Sequence, residues 1–479
     1  MDHVNEHTDP TRPVRGPAEL EAITGRDPST ALLLSGAVVV SMDPVIGDLV
    51  RGDVLIQGTT IVAVGPDLRS DARAAGAVTV DCDGLILSPG FHDTHRHSWQ
   101  NQLRRYIPDV DLDGYFTKMH ATMAHHYRPH DMYVGNLVSA LSSLDGGITT
   151  VADISHNSRS AAHTDAAIAA WDDTGIRAVH ASSAPFDGVW DQQWPADLDR
   201  VVATMPESGL VTLRMALFPQ TVDLIPDTVA FSRENLDIAR RLGIEISVDA
   251  IFGEDASAVI EQRHAEGGLG PDITYIHCTD LTEGAWDAIV ESGGHVSLAP
   301  TSDAQVGMCS GITPIQECLD RGIEPSISID VECCLAGDMF SNMRAILTIQ
   351  RMNVFTRRFQ GDADAPPLVT DRELLTFATI AGARANGLGD VSGSLTPGKQ
   401  ADVIGIRHDD INVFPLNNAI GTVVQGADSR NVEMVFVGGR PRKWAGSVLG
   451  YDLEEAKRQA IDSRNYLLDA AGVELDVFA

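Results

Sequence analysis

Between about residue 85 and residue 387, short apolar segments alternate with segments of helical character, and this alternation constrains the fold more than any other feature. Such alternation is typical of parallel sheets built from strand–helix units. Eight units over roughly 300 residues match the size of a (β/α)8 barrel. The predicted barrel strands begin with the run 84–88 and continue with 149–154, 177–182, 210–217, 244–251, 273–278, 295–299 and 325–330. We therefore predict an α/β fold built around a TIM-like barrel.

Strand-like sequence without a helical period lies on both sides of the barrel. It covers 31–42, 53–65 and 78–82 on one side, and 401–406, 421–425 and 432–440 on the other. The most economical arrangement is one small β-sandwich domain assembled from both ends of the chain. The predicted domains are a flexible arm at 1–28, the composite β-sandwich at 29–86 and 388–445, the barrel at 87–387, and a helical tail at 446–479.

The charge balance limits the partners that such a chain can bind. It has 67 acidic and 35 basic residues, which give a formal net charge of −32. A surface this acidic repels nucleic acid and anionic membranes, so we expect a small-molecule substrate and neither of those partners. We find no long uncharged apolar stretch, and no apolar signal core in the first thirty residues. The six cysteines match no zinc or disulfide pattern, which indicates a reduced, cytoplasmic setting.

Polar side chains occur where the predicted barrel strands end. His95 and His97 are two residues apart, so on an extended strand both imidazoles point the same way and can hold one metal ion. The other polar residues at predicted strand ends are Asp153, His156, Asn157, His180, Asp249, His277, Asp303 and Asp330. Any one of them can equally be an ordinary hydrogen-bonded residue. Because active sites of these barrels lie at the carboxyl ends of the strands, their convergence predicts a metal-type site.

Four motifs carry more information than the single residues do. They are Pro89-Gly90-Phe91-His92-Asp93-Thr94-His95-Arg96-His97, Tyr275-Ile276-His277-Cys278, Ser326-Ile327-Ser328-Ile329-Asp330 and the stretch 395–403. Together they resemble the amidohydrolase superfamily, most of all its cytosine-deaminase-like and chlorohydrolase-like branch, over about residues 30 to 445. The resemblance implies one divalent metal ion, Zn²⁺ or Fe²⁺. Predicted strand four has no lysine of the kind that is carboxylated in dinuclear relatives.

The resemblance also suggests roles for individual residues. A metal ion lowers the pKa of water towards ~7, and a carboxylate beside it can take the water's proton and pass it to a leaving group. We assign that role to Asp330, which is also a predicted ligand beside His95 and His97, and we expect His277 to orient the water or polarise the atom under attack. An alternative for Asp330 is the N-cap of the next helix. Candidate substrate-binding residues, each of which can also be a packed or solvated loop residue, are Trp99, Gln102, His156, Asn157, His180 and Asp303.

Two positions depart from the pattern of this branch. The branch usually has a histidine ligand at the end of strand five, and this chain has Asp249 there. The branch also carries a glutamate three residues later, where this chain has Phe252. Asp249 can still bind zinc or iron through a carboxylate oxygen, so we include it among the predicted ligands. We expect it to change the chemistry rather than the fold.

Three functional hypotheses follow from these residues. The first is a metal-dependent amidohydrolase-type hydrolase, such as a deaminase, that acts on a C–N bond of a small substrate such as a heterocycle. The second is a repurposed barrel that catalyses elimination, isomerisation or cyclisation. The third is a metal-free binding scaffold, which the presence of His95, His97, His277 and Asp330 argues against. We also expect a homo-oligomer, either a dimer or a tetramer.

Overall fold

A computed structural model describes residues 15–27, 29–219 and 225–478. The chain divides into two compact units. The first joins the described residues up to Gly90 with Ser394–Leu449, and the second joins Phe91–Gly393 with the segment that starts at Gly450. Most of the arm predicted at 1–28 lies outside the described residues, and its described part contains a helix at Pro17–Thr24.

The first unit is a nine-stranded mixed sheet that takes strands from both ends of the chain. In order across the sheet the strands are Ser447–Val448, Arg440–Trp444, Val432–Val437, Val403–Arg407, Leu85–Pro89, Leu32–Val40, Asp48–Gln57 and Thr60–Gly65, with Val78–Asp81 paired to Leu32–Val40. The antiparallel pairing of Leu85–Pro89 with Val403–Arg407 joins the two ends. Buried apolar side chains such as Leu87 and Phe436 form the core of this unit.

Two details of the strand prediction were wrong. The run 84–88 is not the first barrel strand, because Leu85–Pro89 belongs to the mixed sheet and the barrel begins after Gly90. The predicted strand at 421–425 is helical, formed by Ala419–Gly421 and a π-helical turn at Thr422–Gly426. Short apolar runs do not distinguish a strand from a helical turn, and here the side chain of Asn418 accepts a hydrogen bond from the amide of Gly421 and starts a helical turn.

The second unit contains the predicted eight-stranded parallel barrel, and the predicted fold class is therefore confirmed. Neighbouring strands pair in chain order. They are Phe91–Arg96, Ile148–Ser155, Arg177–Ser182, Val211–Leu217, Glu245–Ala250, Ile273–His277, His295–Leu298 and Ser326–Ile327, hereafter barrel strands one to eight. The segment after strand eight returns to strand one, where the amide of Asp330 donates to the carbonyl of His95 at 2.9 Å.

Helices follow most of the barrel strands and surround the sheet. The main ones are Pro129–Asp145, Ala161–Thr174, Leu198–Ala203, Arg233–Leu242, Gly253–Ala265, Glu283–Ser292, Ile315–Asp320, Met339–Phe359 and Asp371–Thr376. Side-chain caps start several of them, as Thr282 does by accepting from the amide of Ala285. The tail helix Leu453–Ala471 packs on Pro129–Asp145, where the Ser463 hydroxyl donates to Asp131 at 2.7 Å. Among the described residues, no helix is both long and apolar enough to cross a membrane.

An irregular segment lies between barrel strand one and the helix Pro129–Asp145. It consists of short turns of helix at Ser98–Leu103, Leu112–Tyr115, Phe116–Met123 and Ala124–His126. The first of these turns rests on the helix Pro129–Asp145 at Gly135. A Cβ atom at Gly135 would lie 2.7 Å from the carbonyl carbon of Trp99 and closer still to its oxygen.

We expect Gly135→Ala to lower the free energy of unfolding by about 1–3 kcal/mol, because the added methyl group overpacks against backbone that cannot move aside. In an ordinary helix interior this substitution stabilises by up to about 1 kcal/mol, so the sign is diagnostic. Urea unfolding measures the change. Gly284→Ala is the matched control, since Gly284 is an exposed helical glycine whose added Cβ would meet only the end of the Glu261 side chain. Equal stabilities of Gly135→Ala and the parent would contradict the packing argument.

Candidate active site

Three side chains meet at the seam between barrel strands one and eight. The Nε2 atoms of His95 and His97 lie 3.1 and 3.2 Å from Oδ1 of Asp330. Backbone hydrogen bonds hold this arrangement, since Asp330 donates to His95 at 2.9 Å and His97 donates to Asp330 at 3.0 Å. All three side chains are buried, and their donor atoms lie within 4.8 Å of one another. The structure thus brings together the two histidines and the aspartate that the sequence placed at strand ends.

Asp249 and His277 lie beside this group. The Nε2 atom of His277 is 3.8 Å from Oδ1 of Asp249 and 3.7 Å from Oδ2 of Asp330. Donor atoms of His95, Asp249 and His277 also lie within 4.8 Å of one another. Imidazole nitrogens and carboxylate oxygens are ligands that Zn²⁺ and Fe²⁺ accept, so the donor set fits the predicted divalent ion.

The backbone at two of these residues is strained. His277 has φ of 62° and Asp330 has φ of 70°, both in the left-handed region that non-glycine residues rarely adopt. Such conformations cost roughly 1–3 kcal/mol and concentrate at functional sites. In addition, the next helix is capped by Asp338 and not by Asp330. The side chain of Asp330 is therefore directed to the cluster rather than to a helix end.

The Asp330 carboxylate is buried but well provided with donors. Its Oδ2 accepts a hydrogen bond from the Ser302 hydroxyl. Burial by itself would raise the pKa of Asp330, but the adjacent imidazoles of His95, His97 and His277 outweigh burial and hold its pKa well below the usual range. Asp330 is therefore ionised throughout the neutral pH range.

A second carboxylate orients His277. The Nδ1–H of His277 donates to Oδ1 of Asp303 at 2.7 Å, and the Thr313 hydroxyl donates to Oδ2 of Asp303, also at 2.7 Å. Burial would lower the pKa of His277, but the hydrogen bond and charge of Asp303, together with Asp330 and Asp249, raise it to about 9. Since Nδ1 is occupied by Asp303, Nε2 is the nitrogen that faces the cluster.

The cluster lies at one side of a cavity. Four contacting rings, His120, His156, Phe186 and Phe218, form part of its lining, and we call them the ring wall. In it, His156 stacks on Phe186 with centroids 4.8 Å apart and on His120 with centroids 5.0 Å apart. The remaining lining residues include Leu112, Tyr115, Phe116, Ile225, Ile251, Met308 and Val331. The rings and apolar side chains of this lining fit a small, flat, largely apolar molecule.

Of the six predicted substrate-binding residues, the structure places His156 in the cavity lining. The other five, Trp99, Gln102, Asn157, His180 and Asp303, are not among the described residues that line it. Trp99 is fully buried against Tyr127, with ring centroids 4.9 Å apart, and the Gln102 amide donates to the carbonyl of Asp131 at 3.2 Å.

The other three predicted residues also have partners close to the cavity. The Asn157 amide donates to the carbonyl of Ala124 at 3.1 Å. His180 lies with Nδ1 3.6 Å from Oδ2 of Asp153, and Asp303 holds His277. These three side chains therefore contact residues around the cavity and do not line it themselves.

Sequence reasoning missed most of the aromatic lining. Tyr115, Phe116 and His120 belong to the irregular segment after barrel strand one, and Phe186 and Phe218 follow strands three and four. The only signal was the length of the insertion after strand one, since irregular segments have no periodicity that tells which residues face inward.

The sequence model of the amidohydrolase family matches residues 86–442. The chain therefore belongs to the amidohydrolase family. This match, together with the relatives described next, confirms the resemblance and the enzyme class that we predicted, a hydrolase of carbon–nitrogen bonds other than peptide bonds.

The similar proteins include deaminases of adenine nucleosides. A 5-methylthioadenosine/S-adenosylhomocysteine deaminase of Pelotomaculum thermopropionicum is 27% identical over 449 residues, covering 90% of this chain and 97% of the relative. A 5'-deoxyadenosine deaminase of Methanosarcina mazei is 24% identical over 85% of this chain and 92% of the relative. An adenosine deaminase structure from Xanthomonas campestris with bound zinc shares the fold, with a TM-score of 0.76 and 21% identity over 92% and 99% of the two chains. Atrazine chlorohydrolase from Arthrobacter aurescens, with zinc, has a TM-score of 0.72 and 22% identity over 91% and 100%.

We expect Asp303→Asn to lower the pKa of His277 in the metal-free protein from about 9 towards its ordinary value of 6.5, because a neutral amide no longer stabilises the imidazolium. NMR titration of the imidazole resonances measures the change. Because the pKa of His277 is raised in the folded protein, charged His277 stabilises the fold fully below pH 6.5, and this stabilisation is lost as the pH rises through about 9. The variant lacks this contribution, so its free energy of unfolding should fall below that of the parent at low pH. Thr313→Val, which leaves the Asp303 charge in place, should change the pKa much less. An unchanged His277 titration in Asp303→Asn would show that Asp303 does not control this group.

Proposed function

We propose that this enzyme is a metal-dependent aminohydrolase that removes an exocyclic amino group from a small, flat, uncharged heterocycle, with water as the second substrate. The observation that carries the proposal is the convergence of buried imidazole and carboxylate donors beside a cavity faced by the ring wall. The names of the similar deaminases support an adenine-type ring as the group that reacts.

We assign the metal ligands as His95, His97, Asp249 and Asp330, in the donor cluster described above. The ion is Zn²⁺ or Fe²⁺, and the zinc in two structures of the same fold favours Zn²⁺. When bound, it supplies a low-pKa water and a Lewis acid. The chain contributes the geometry: His95, His97 and Asp330 form one group of close donor atoms, and His95 also belongs to a second group with Asp249.

Asp330 and His277 carry the proton and positioning roles in this proposal. The two oxygens of Asp330 face different partners: Oδ1 faces His95 and His97, and Oδ2 faces Ser302 and His277. The oxygen beside His277 is free of the ligand role, so it takes the proton of the attacking water and returns it to the departing nitrogen. His277, held at Nδ1 by Asp303, presents Nε2 to the attacked atom and steadies charge that develops there.

The charges in the cavity limit the substrate. Among the described residues that line it there is no lysine or arginine, while Asp249 and Asp330 are both acidic. A phosphate or carboxylate on the substrate would meet these two carboxylates and neither of the two strongly basic side chains. The imidazolium of His277 also lines the cavity, but it is already paired with Asp303 at 2.7 Å. We therefore propose uncharged bases or nucleosides as substrates, and we expect nucleotides and nucleosides with an amino-acid tail to be poor ones.

We retain three finer predictions alongside this function. They are a cytoplasmic location, assembly as a homo-oligomer, and the absence of nucleic-acid and membrane partners, the last supported by the net charge of −32. The non-hydrolytic alternative rests on Asp249 and Phe252, the two positions that depart from the pattern of the deaminase branch.

The proposed function is tested with a panel of adenine, cytosine and triazine bases, nucleosides and 5'-monophosphates. Turnover is measured as ammonia release in oxygen-18 water. We expect ammonia release with uncharged members and one solvent oxygen in each product. Asp330→Asn should reduce the rate by about 10²-fold or more while the melting temperature remains near that of the parent, since the amide cannot take the proton. A product without solvent oxygen would favour elimination, isomerisation or cyclisation, and activity with less than one equivalent of bound metal would remove the metal from the proposal.

We expect Asp249→His to change metal affinity and the pH dependence of turnover together. The substitution replaces a carboxylate with a neutral imidazole, removes one negative charge from the site and makes the attacking water more acidic. The acid limb of the rate profile should then move to lower pH. Zinc competition against a chelator and a pH–rate profile measure both effects. Asp255→His, which makes the same charge change at an exposed position of the helix Gly253–Ala265, is the control. Unchanged affinity and unchanged profile in Asp249→His would show that Asp249 is a bystander.

A further inference from the structure

One histidine of the ring wall bonds directly to a proposed metal ligand. Nε2 of His156 lies 2.7 Å from Nδ1 of His97, and the two rings meet edge to face with centroids 4.5 Å apart. His97 directs its other nitrogen, Nε2, to Asp330 at 3.2 Å. His97 thus has one nitrogen for the metal cluster and one for the cavity wall.

The direction of this hydrogen bond follows from the chemistry of imidazole. A histidine that binds a metal through Nε2 is neutral and carries its proton on Nδ1. His97 therefore donates its Nδ1–H, and His156 must accept with Nε2 while its own proton sits on Nδ1. Metal-binding histidines usually donate to a carboxylate, a backbone carbonyl or water. Here the acceptor is a second imidazole.

Packing holds His156 in the position that this role requires. Its ring stacks on Phe186 and His120 and touches the edge of Trp99 at a centroid distance of 5.4 Å. The side chain is 2% exposed, so it has little freedom to turn away from His97.

We propose that His156 is a positioning residue that fixes the tautomer and orientation of His97 and so tunes the affinity of the metal centre, in addition to lining the cavity. The inference rests on the proposed function, because it needs His97 to be a ligand.

The metal affinity of the full chain tests this role. It is measured by competition between apoprotein and a chelator for Zn²⁺, and by titration with Co²⁺. Loss of the acceptor in His156→Leu should weaken binding by about 10- to 100-fold and shift the Co²⁺ absorption spectrum. His156→Asn, whose shorter amide does not reach His97, should behave in the same way and serves if the leucine variant does not fold. His156→Gln, whose amide oxygen can take the place of Nε2, should recover most of the affinity.

His163→Leu is the matched control. His163 is another buried histidine, whose ring nitrogens bond to Ser160 at 2.7 Å and to the carbonyl of Tyr127 at 3.0 Å, and it is not among the described cavity residues. It should lose stability without losing metal affinity. Parent-like affinity in His156→Leu or His156→Asn, with the parent binding one ion, would overturn the role of His156 and leave the proposed function intact. A parent that binds no divalent ion would overturn both.

Discussion

The site depends on the hydrogen bonds and ion pairs that join barrel strand one to the segment after barrel strand eight. Across this seam the Asp330 amide donates to the carbonyl of His95, and the Asp330 carbonyl accepts from the amide of His97. The guanidinium of Arg96 is buried between Asp93 at 2.6 Å and Glu332 at 2.9 Å. Breaking a buried ion pair of this kind leaves an uncompensated charge and costs about 3–5 kcal/mol. The same contacts that close the barrel therefore fix the donor atoms of the site.

The charges around that seam explain why the site needs a cation. Asp249, Asp303 and Asp330 are buried near one another, and isolated buried carboxylates are costly. Asp303 is balanced by His277, and Asp330 lies beside the imidazoles of His95 and His97. A divalent ion held by neutral imidazoles would balance the charge of Asp249 and Asp330.

The sequence was informative where geometry repeats and uninformative where it does not. His95, His277 and Asp330 could be placed together because the carboxyl ends of parallel strands meet at one edge of a barrel. Trp99 was predicted to face substrate, yet in the structure it is buried on the core side of an irregular turn, and His120 was not predicted at all. Which way such a turn presents its side chains depends on tertiary packing, for example on the close approach at Gly135, and not on a local pattern.

We infer that the two predicted departures from the branch pattern, at positions 249 and 252, affect proton transfer rather than folding. Phe252 begins the helix Gly253–Ala265 in a left-handed conformation with φ of 68°, and its ring packs on the apolar cluster beneath the irregular segment. Position 252 thus presents an apolar ring where the branch has an acid. Among the described lining residues, Asp249 and Asp330 are the acids. If Asp249 binds the metal, Asp330 has to combine ligation through one oxygen with proton transfer through the other, and its two differently partnered oxygens are suited to that division. If Asp249 does not bind the metal, we propose that it is a second proton carrier at the end of barrel strand five.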